Sequence, residues 1–308
     1  MIELLEDQKK INELEISIMN SSFYISISNS EILDWKEIVS SYLLYFEREF
    51  SRFSKENELW RFNQLKKNST VTVSTLFYDL LKKSEEYRIK TGGRFSPYLL
   101  SQLECHGYKH SFPFQSVSNE KGPVPYYHIE HEPLTFHGEN TITKNTPLKI
   151  DLGGIAKGYA VEAVARWLQV HARSHFGIVD GGGDIQVWSN GQKTWEIGIM
   201  NPFHEHEEIG SFQVQNGGIA TSNTVYRSWY QNGKKKHHIF DGRTGEPTHS
   251  NMVQATVVSR SCLDAEIGAK ICFMDEHESI LQNLHHSFNY VLVQEDGKII
   301  MGGSRNEC

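Results

Sequence analysis

Asn-Gly or Asp-Gly pairs at 190–191, 232–233 and 296–297 each separate runs that alternate apolar and polar residues. Such a pair accepts positive φ at both turn positions and so matches the twist of a two-residue hairpin. Antiparallel strands must therefore dominate the second half of the chain. A fourth pair, at 216–217, runs into "GGIATS" (217–222). Alternation over "LEISIMNSSFYISIS" (14–28) predicts a strand or hairpin near the start. "LKIDLG" (148–153) and "QATVVS" (254–259) read as short strands. "HFGIVDGGGDIQVWS" (175–189) reads as a strand, a glycine turn and a second strand, and "NYVLVQEDGKIIMGG" as a closing hairpin.

Helical spacing appears between these runs. Ile32, Trp35, Val39, Leu43, Phe46 and Phe50 place a helix over 31–50, and further helices are expected over 74–90, 156–170 and 262–274. Ser54 is placed to cap a turn leading to Leu59, and "TGGRFSP" (91–97) breaks the second helix. Residues 104–147, rich in His, Pro, Ser and Gly, read as a peripheral insertion of loops and short strands. The expected fold is α+β: one compact unit over 1–308, mainly antiparallel, with helices on one side.

Apolar residues make up 38% of the chain and aromatic residues 11%, enough for a substantial core. The net charge of -7 excludes a general nucleic-acid binder and requires that an anionic ligand be met by local groups. None of Cys105, Cys262, Cys272 and Cys308 forms a CxxC pair, so a zinc cage is not expected; Cys262 and Cys272 read as core. The first twenty residues lack the order of a signal peptide, and no run approaches about 18 apolar residues. The expectation is a soluble, cytoplasmic protein without a membrane anchor.

Four stretches carry candidate chemistry. In "DLGGIAKGYA" (151–160), Gly153 and Gly154 permit close backbone approach, and the following helix offers free N–H groups and a positive dipole end. Lys157 in the first turn conflicts with that dipole, and a phosphate there resolves the conflict. Asp151 is then free to accept from a sugar or base edge. The other reading is a strand–turn–helix corner with Lys157 in solvent; the pattern admits both. "VDGGGDI" (179–185) reads by itself as a tight turn with Asp184 outward, or as bare backbone against a ligand ring. It is not GxGxxG, and its strand flanks exclude a Rossmann site. Residues 217–247 gather Thr221, Ser222, Arg227, His238, Asp241, Arg243 and Thr244. His238 is a candidate base or ligand contact, and Lys234–Lys236 a solvated hairpin tip. In "SCLDAEIGAKICFM" (261–274), Glu266 and Lys270 are four apart on a helix, by default a surface ion pair. Ala265, Ala269 and Cys272 give that helix a small-residue face.

In this order the motifs resemble the ApbE family, the FAD:protein FMN transferases, from about residue 18 to about residue 275. Met19-Asn20-Ser21 is similar to the family's Met-Gly-Thr step, and "FSRFSKENELWRFN" to its Phe-Ser segment. "TGGRFSP" has Ser96 where the family usually has Asp, and in "HHIFDGRTGEP" Gly242 replaces a proline. "DLGGIAKGYAVE" is close to the family signature, and "DGGGDI" and "GGIATS" fall in the expected places. The implied fold is an ApbE-like, T-fold-like unit. Implied FAD contacts are Met19, Phe53, Phe95, Ser96, Pro97, Asp151, Lys157, Asp184, Ser222 and His238. Implied Mg²⁺ positions are Gly154, through its carbonyl, Glu266 and Ala269. His238 and Lys270 are the implied catalytic residues.

The implied reaction splits the FAD diphosphate, passes FMN to a Ser or Thr hydroxyl of a target protein and releases AMP. That target protein is the implied partner, and a homodimer is compatible with the resemblance. The departure lies in the last metal motif. Ala265-Glu266-Ile267-Gly268-Ala269-Lys270 stands where the family has Ala-Asp-Ala-Leu-Ala-Thr, so Glu replaces Asp and Lys replaces Thr. Glu is an acceptable oxygen ligand; a protonated Lys is not. Three readings of the departure stay open. Lys270 stands in for part of the metal charge, the protein binds FAD and transfers poorly, or Mg²⁺ binds through Glu266, Gly154 and water. Asp264 is an alternative ligand that needs a two-residue gap. A non-catalytic FAD binder and an FAD pyrophosphatase are the competing functions.

Overall fold

The computed structural model describes residues 12–113 and 127–304, apart from positions 205, 232 and 286. Cys308 and part of the 104–147 segment therefore lie outside the described residues. β1 (Asn12–Ile18) and β2 (Ser21–Ile27) pair antiparallel around Met19 and Asn20, whose φ values are +53° and +55°. Two left-handed residues give the turn that antiparallel strands need. Asparagine adopts that conformation readily and methionine does not, so Met19 is held by its surroundings. Its N–H donates to the Glu47 carboxylate at 2.8 Å.

α1 (Trp35–Phe50) buries Trp35, Val39, Leu43, Phe46 and Phe50, the expected face, and begins after Ile32. α2 (Glu58–Gln64) is capped by Asn57 rather than Ser54: the Asn57 side chain accepts from the Trp60 N–H at 2.8 Å. β3 (Ser69–Thr72), α3 (Thr75–Lys90), α4 (Leu100–Cys105), β4 (Leu134–Phe136) and β5 (Thr141–Lys144) follow. β3, β5 and β4 form a small antiparallel sheet in that order, which accounts for the described strands of the 104–147 segment.

The strand expected over 148–153 does not form. The Ile150 N–H donates to the Asn63 side-chain oxygen at 2.7 Å, and the Ile150 carbonyl accepts from the Asn63 amide at 2.8 Å. The next N–H, of Asp151, donates to the Pro97 carbonyl at 2.8 Å. A backbone satisfied in this way has no groups left for a neighbouring strand.

α5 (Ala156–Val170) has the bounds its periodicity predicts. β6 (Gly177–Asp180), β7 (Asp184–Trp188), β8 (Trp195–Met200), β9 (Glu208–Val214) and β10 (Gly217–Asn223) come next. Two hairpins follow, β11 (Ser228–Gln231) with β12 (Lys234–His237) and β13 (Phe240–Asp241) with β14 (Glu246–Pro247). Then come β15 (Met252–Ser259), α6 (Cys262–Ile271), α7 (His277–Leu284), β16 (Phe288–Gln294) and β17 (Ile299–Gly303). Helix α6 stops short of the expected residue 274.

The main sheet runs β1-β2-β6-β7-β10-β15-β16-β17, and each neighbouring pair is antiparallel. The α+β expectation holds. Val179, Ala220, Ala255 and Val257 point from the sheet into the core shared with the helices. The alternate residues Ile178, Ile185, Val187 and Ile219 pack beneath the β8–β9 hairpin. Asn190-Gly191 therefore joins two layers and not two strands of one hairpin, since β8 pairs with β9. The Ser189 hydroxyl sets that change of direction by accepting from the N–H groups of Gly191 and Lys193 at 3.1 and 2.9 Å. The strands expected to pair on either side of 232–233 and of 296–297 do so. Among the described residues no helix is long and apolar enough to cross a membrane.

Candidate active site

A cleft of about 410 Å³ opens where the start of α5, the end of β10, the 91–97 turn and α6 meet. This is within the range of about 300–1,000 Å³ usual for ligand pockets. Met19, Phe53, Phe95, Ser96, Asp151, Gly154, Lys157, Asp184, Ser222, His238, Glu266 and Lys270 all line it. Two of the expected site residues do not. Pro97 is buried and supports Asp151 through its carbonyl, while Ala269 is fully buried in the core of α6. Asp264 also lies elsewhere, accepting from the Tyr87 hydroxyl at 2.8 Å, so Glu266 is the carboxylate that α6 turns to the cleft.

Four charges form the floor. Lys157 pairs with Asp184, and Lys270 pairs with Glu266 at 3.2 Å. Asp184 is 4% exposed and Glu266 1%. The expectations of an outward Asp184, a solvent-facing Lys157 and a surface Glu266–Lys270 pair are therefore corrected. The small residues of α6 bring the helix against β10 and β15, which carries its charged side chains inside. Burial by itself lowers the affinity of Lys157 for its proton. The Asp184 carboxylate, and then Glu266, outweigh it and hold the pKa above its ordinary value. Burial raises the pKa of Glu266, with Lys270 pulling the other way. Gly158 is part of the same arrangement. Its N–H donates to Glu266 Oε2 at 2.9 Å, and a Cβ there would stand 2.5 Å from that oxygen.

The glycine turn between β6 and β7 is organised from below. Asp180 Oδ1 accepts from the N–H groups of Gly182 and Gly183, both at 2.8 Å, and Gly182 borders the cleft. His238 Nδ1 lies 3.3 Å from the Arg227 carbonyl. A carbonyl only accepts, so Nδ1 carries the proton and Nε2 keeps its lone pair. Burial, with Arg227 next, pushes the His238 pKa down to about 3, and the ring is neutral near pH 7. Ser96 sits within 3.0 Å of the Tyr127 hydroxyl, which donates to the Gly242 carbonyl at 2.8 Å. Gly242 donates its own N–H to the Arg94 carbonyl at 2.7 Å. A proline at 242 has no N–H to donate there, and a Cβ at 242 would collide with the Gly93 carbonyl oxygen, so this turn takes glycine.

Sequence reading passed over Arg52. Its side chain is 6% exposed, lies over the Phe53 and Tyr108 rings at 4.6 and 4.2 Å, and approaches Asp151 at 3.6 Å. Its Nη1 is buried without a hydrogen-bond partner among the described residues, and the residue lines the cleft. The only signal was an arginine set between serine and phenylalanine in a quoted motif.

The chain matches the ApbE family over residues 17–292. It belongs to that family. An FAD:protein FMN transferase of Vibrio cholerae is 30% identical over 228 residues, covering 71% of this chain and 66% of the relative. One of Escherichia coli is 27% identical over 239 residues, covering 75% and 68%. The chain thus spans about two thirds of the length of these curated relatives. Among solved structures, the ApbE protein of Thermotoga maritima covers 96% of this chain and 97% of its own, with a TM-score of 0.82 at 24% identity. The flavin transferase ApbE of Vibrio cholerae gives 0.73 at 22%. At those identities the likeness shows a common fold.

The cleft suits FAD. It has aromatic faces at Phe53 and Phe95 and an unpaired buried guanidinium donor on Arg52. The donor set for Mg²⁺ that ApbE resemblance implied does not fit. Glu266 has both oxygens engaged, one by Gly158 and one by Lys270, and Lys270 cannot be a ligand while protonated.

Proposed function

We propose that this ApbE chain is an FAD:protein FMN transferase that moves FMN from FAD to a serine or threonine hydroxyl of a separate target protein. A cytoplasmic setting belongs to the same reading. The observation that carries it is the convergence of Asp151, Lys157, Asp184, His238, Glu266 and Lys270 in one cleft beside an unpaired Arg52 donor. Arg52, Lys157 and Lys270 are the local cations that a diphosphate can meet there, where the net charge of -7 repels it. Asp151 and Lys157 hold the dinucleotide. Met19, Phe53, Phe95, Ser96, Asp184 and Ser222 line the same cleft around it.

The chemistry is phosphoryl-group transfer. The acceptor oxygen bonds to the phosphorus that carries riboflavin, and the P–O bond to the bridging oxygen breaks. AMP leaves with that oxygen, and the hydroxyl proton passes to His238 Nε2. A ring with so low a pKa in the free protein gains basicity when a diphosphate dianion lies beside it. No step here is routed through a metal.

The test is one incubation of the protein with FAD and an acceptor domain, reading AMP release and the acceptor's intact mass together. One AMP for each FMN-sized gain is expected. FMN and AMP without acceptor would instead make the protein a pyrophosphatase, and bound FAD with no AMP would make it a carrier. His238→Ala is expected to slow transfer by about 10²–10⁴-fold while FAD still binds.

A further inference from the structure

Lys270 occupies the ground between Gly154 and Glu266. Its ammonium donates to Glu266 Oε1 and to the Glu266 carbonyl, both at 3.2 Å. Its Cε lies 3.8 Å from the point where a Cβ of Gly154 would stand. The side chain is about four-fifths covered, and the partner carboxylate almost wholly so. Behind this pair, Lys157 and Asp184 neutralise each other. Two cations and two anions thus close the floor with no net charge, and no carboxylate oxygen of Glu266 is left without a donor.

We propose that Lys270 takes the place of a divalent cation, so that FAD is bound and cleaved by this chain without metal. The inference rests on the flavin-transferase reading of the site. An ammonium has three donors, and two of them here reach the same residue. One can turn from Glu266 to a phosphate oxygen with no change of ligand shell. In the transfer step the bonds made and broken are those given above, and the charge gathering on the departing AMP phosphate is offset by Lys270. Glu266 keeps the ammonium aimed, a positioning role.

The experiment is titration of FAD into the full chain by flavin fluorescence, in EDTA and in Mg²⁺, for wild type, Lys270→Gln and Lys270→Thr. Mn²⁺ binding to the flavin-loaded protein is followed by electron paramagnetic resonance. The wild-type dissociation constant is expected to agree within about twofold in the two buffers, with no Mn²⁺ site. Lys270→Gln is expected to bind FAD about tenfold or more weakly in both, the loss of one charged hydrogen bond. Lys270→Thr is expected to be weak in EDTA, to recover in Mg²⁺ and to gain a Mn²⁺ signal. An EDTA-induced loss of about tenfold or more in the wild type, or stoichiometric Mn²⁺ binding to it, overturns the inference alone. If FAD binds in neither buffer, the transferase reading falls and the inference with it. If the variants do not fold, the two wild-type titrations decide.

Discussion

Arg52 shows how a candidate binding residue can be hidden in a sequence that displays its neighbours. The stretch from Asp151 to Lys157 at least stands out, because paired glycines before a helix with a misplaced lysine admit either a ligand site or a plain corner, and the family resemblance favours the first. An arginine between Ser51 and Phe53 has many explanations. Its candidacy emerges only from its position, stacked on Tyr108 and at 3.6 Å from Asp151, with Nη1 unpaired among the described residues. A buried donor without a partner costs about 1–3 kcal/mol, and a ligand acceptor removes that cost. Arg52→Met keeps the apolar stem between the rings and removes the donors. FAD affinity is expected to fall about ten- to a hundredfold, with thermal stability little changed. Affinity within about twofold of wild type would show that the guanidinium does not reach the ligand.

At the scale of elements, helices with a clean apolar stripe were readable and extended segments were not always. The stripe of α5 fixes its bounds, because burial of Ala160, Val161, Val164 and Leu168 needs only the local spacing. The segment 148–153 has the composition of a strand, yet whether it pairs depends on what lies beside it. Asn63, far away in sequence on α2, supplies both hydrogen bonds to Ile150. The same holds for Glu266 and Lys270: their spacing gives the pair, and only the packing of α6 against the sheet places it inside. Asn63→Ala removes both partners of a buried backbone unit. Destabilisation of about 2–4 kcal/mol is expected from two unpaired buried groups, read as a lower midpoint in urea unfolding. FAD binding is expected to weaken too, since Asp151 follows Ile150 directly. An unchanged midpoint would mean that water or a new strand contact replaces the amide.

Across the whole molecule the cleft is assembled from β1–β2, α1, α5, α6 and the hairpins after β10, and that assembly buries groups that are wet in an unfolded chain. His237 and His238 record it. Burial lowers His237 to about 4, and burial with Arg227 lowers His238 to about 3. Both are near 6.5 when unfolded. In the window between, the unfolded chain binds more protons, so stability is full above about pH 6.5 and is lost as pH falls toward the folded values. By about pH 5 each neutral ring costs ~2 kcal/mol. Buried Glu162, Asp180 and Glu266, whose pKa values are raised, act in the opposite sense over part of this range. Wild-type stability alone therefore mixes the two. His238→Asn separates them, because an asparagine amide can donate to the Arg227 carbonyl as Nδ1 does and does not titrate. Between pH 7 and about pH 5 the wild type is expected to lose ~2 kcal/mol more unfolding free energy than the variant. Parallel pH profiles for the two proteins would mean that His238 takes up its proton inside the folded cleft, with Nε2 open to solvent.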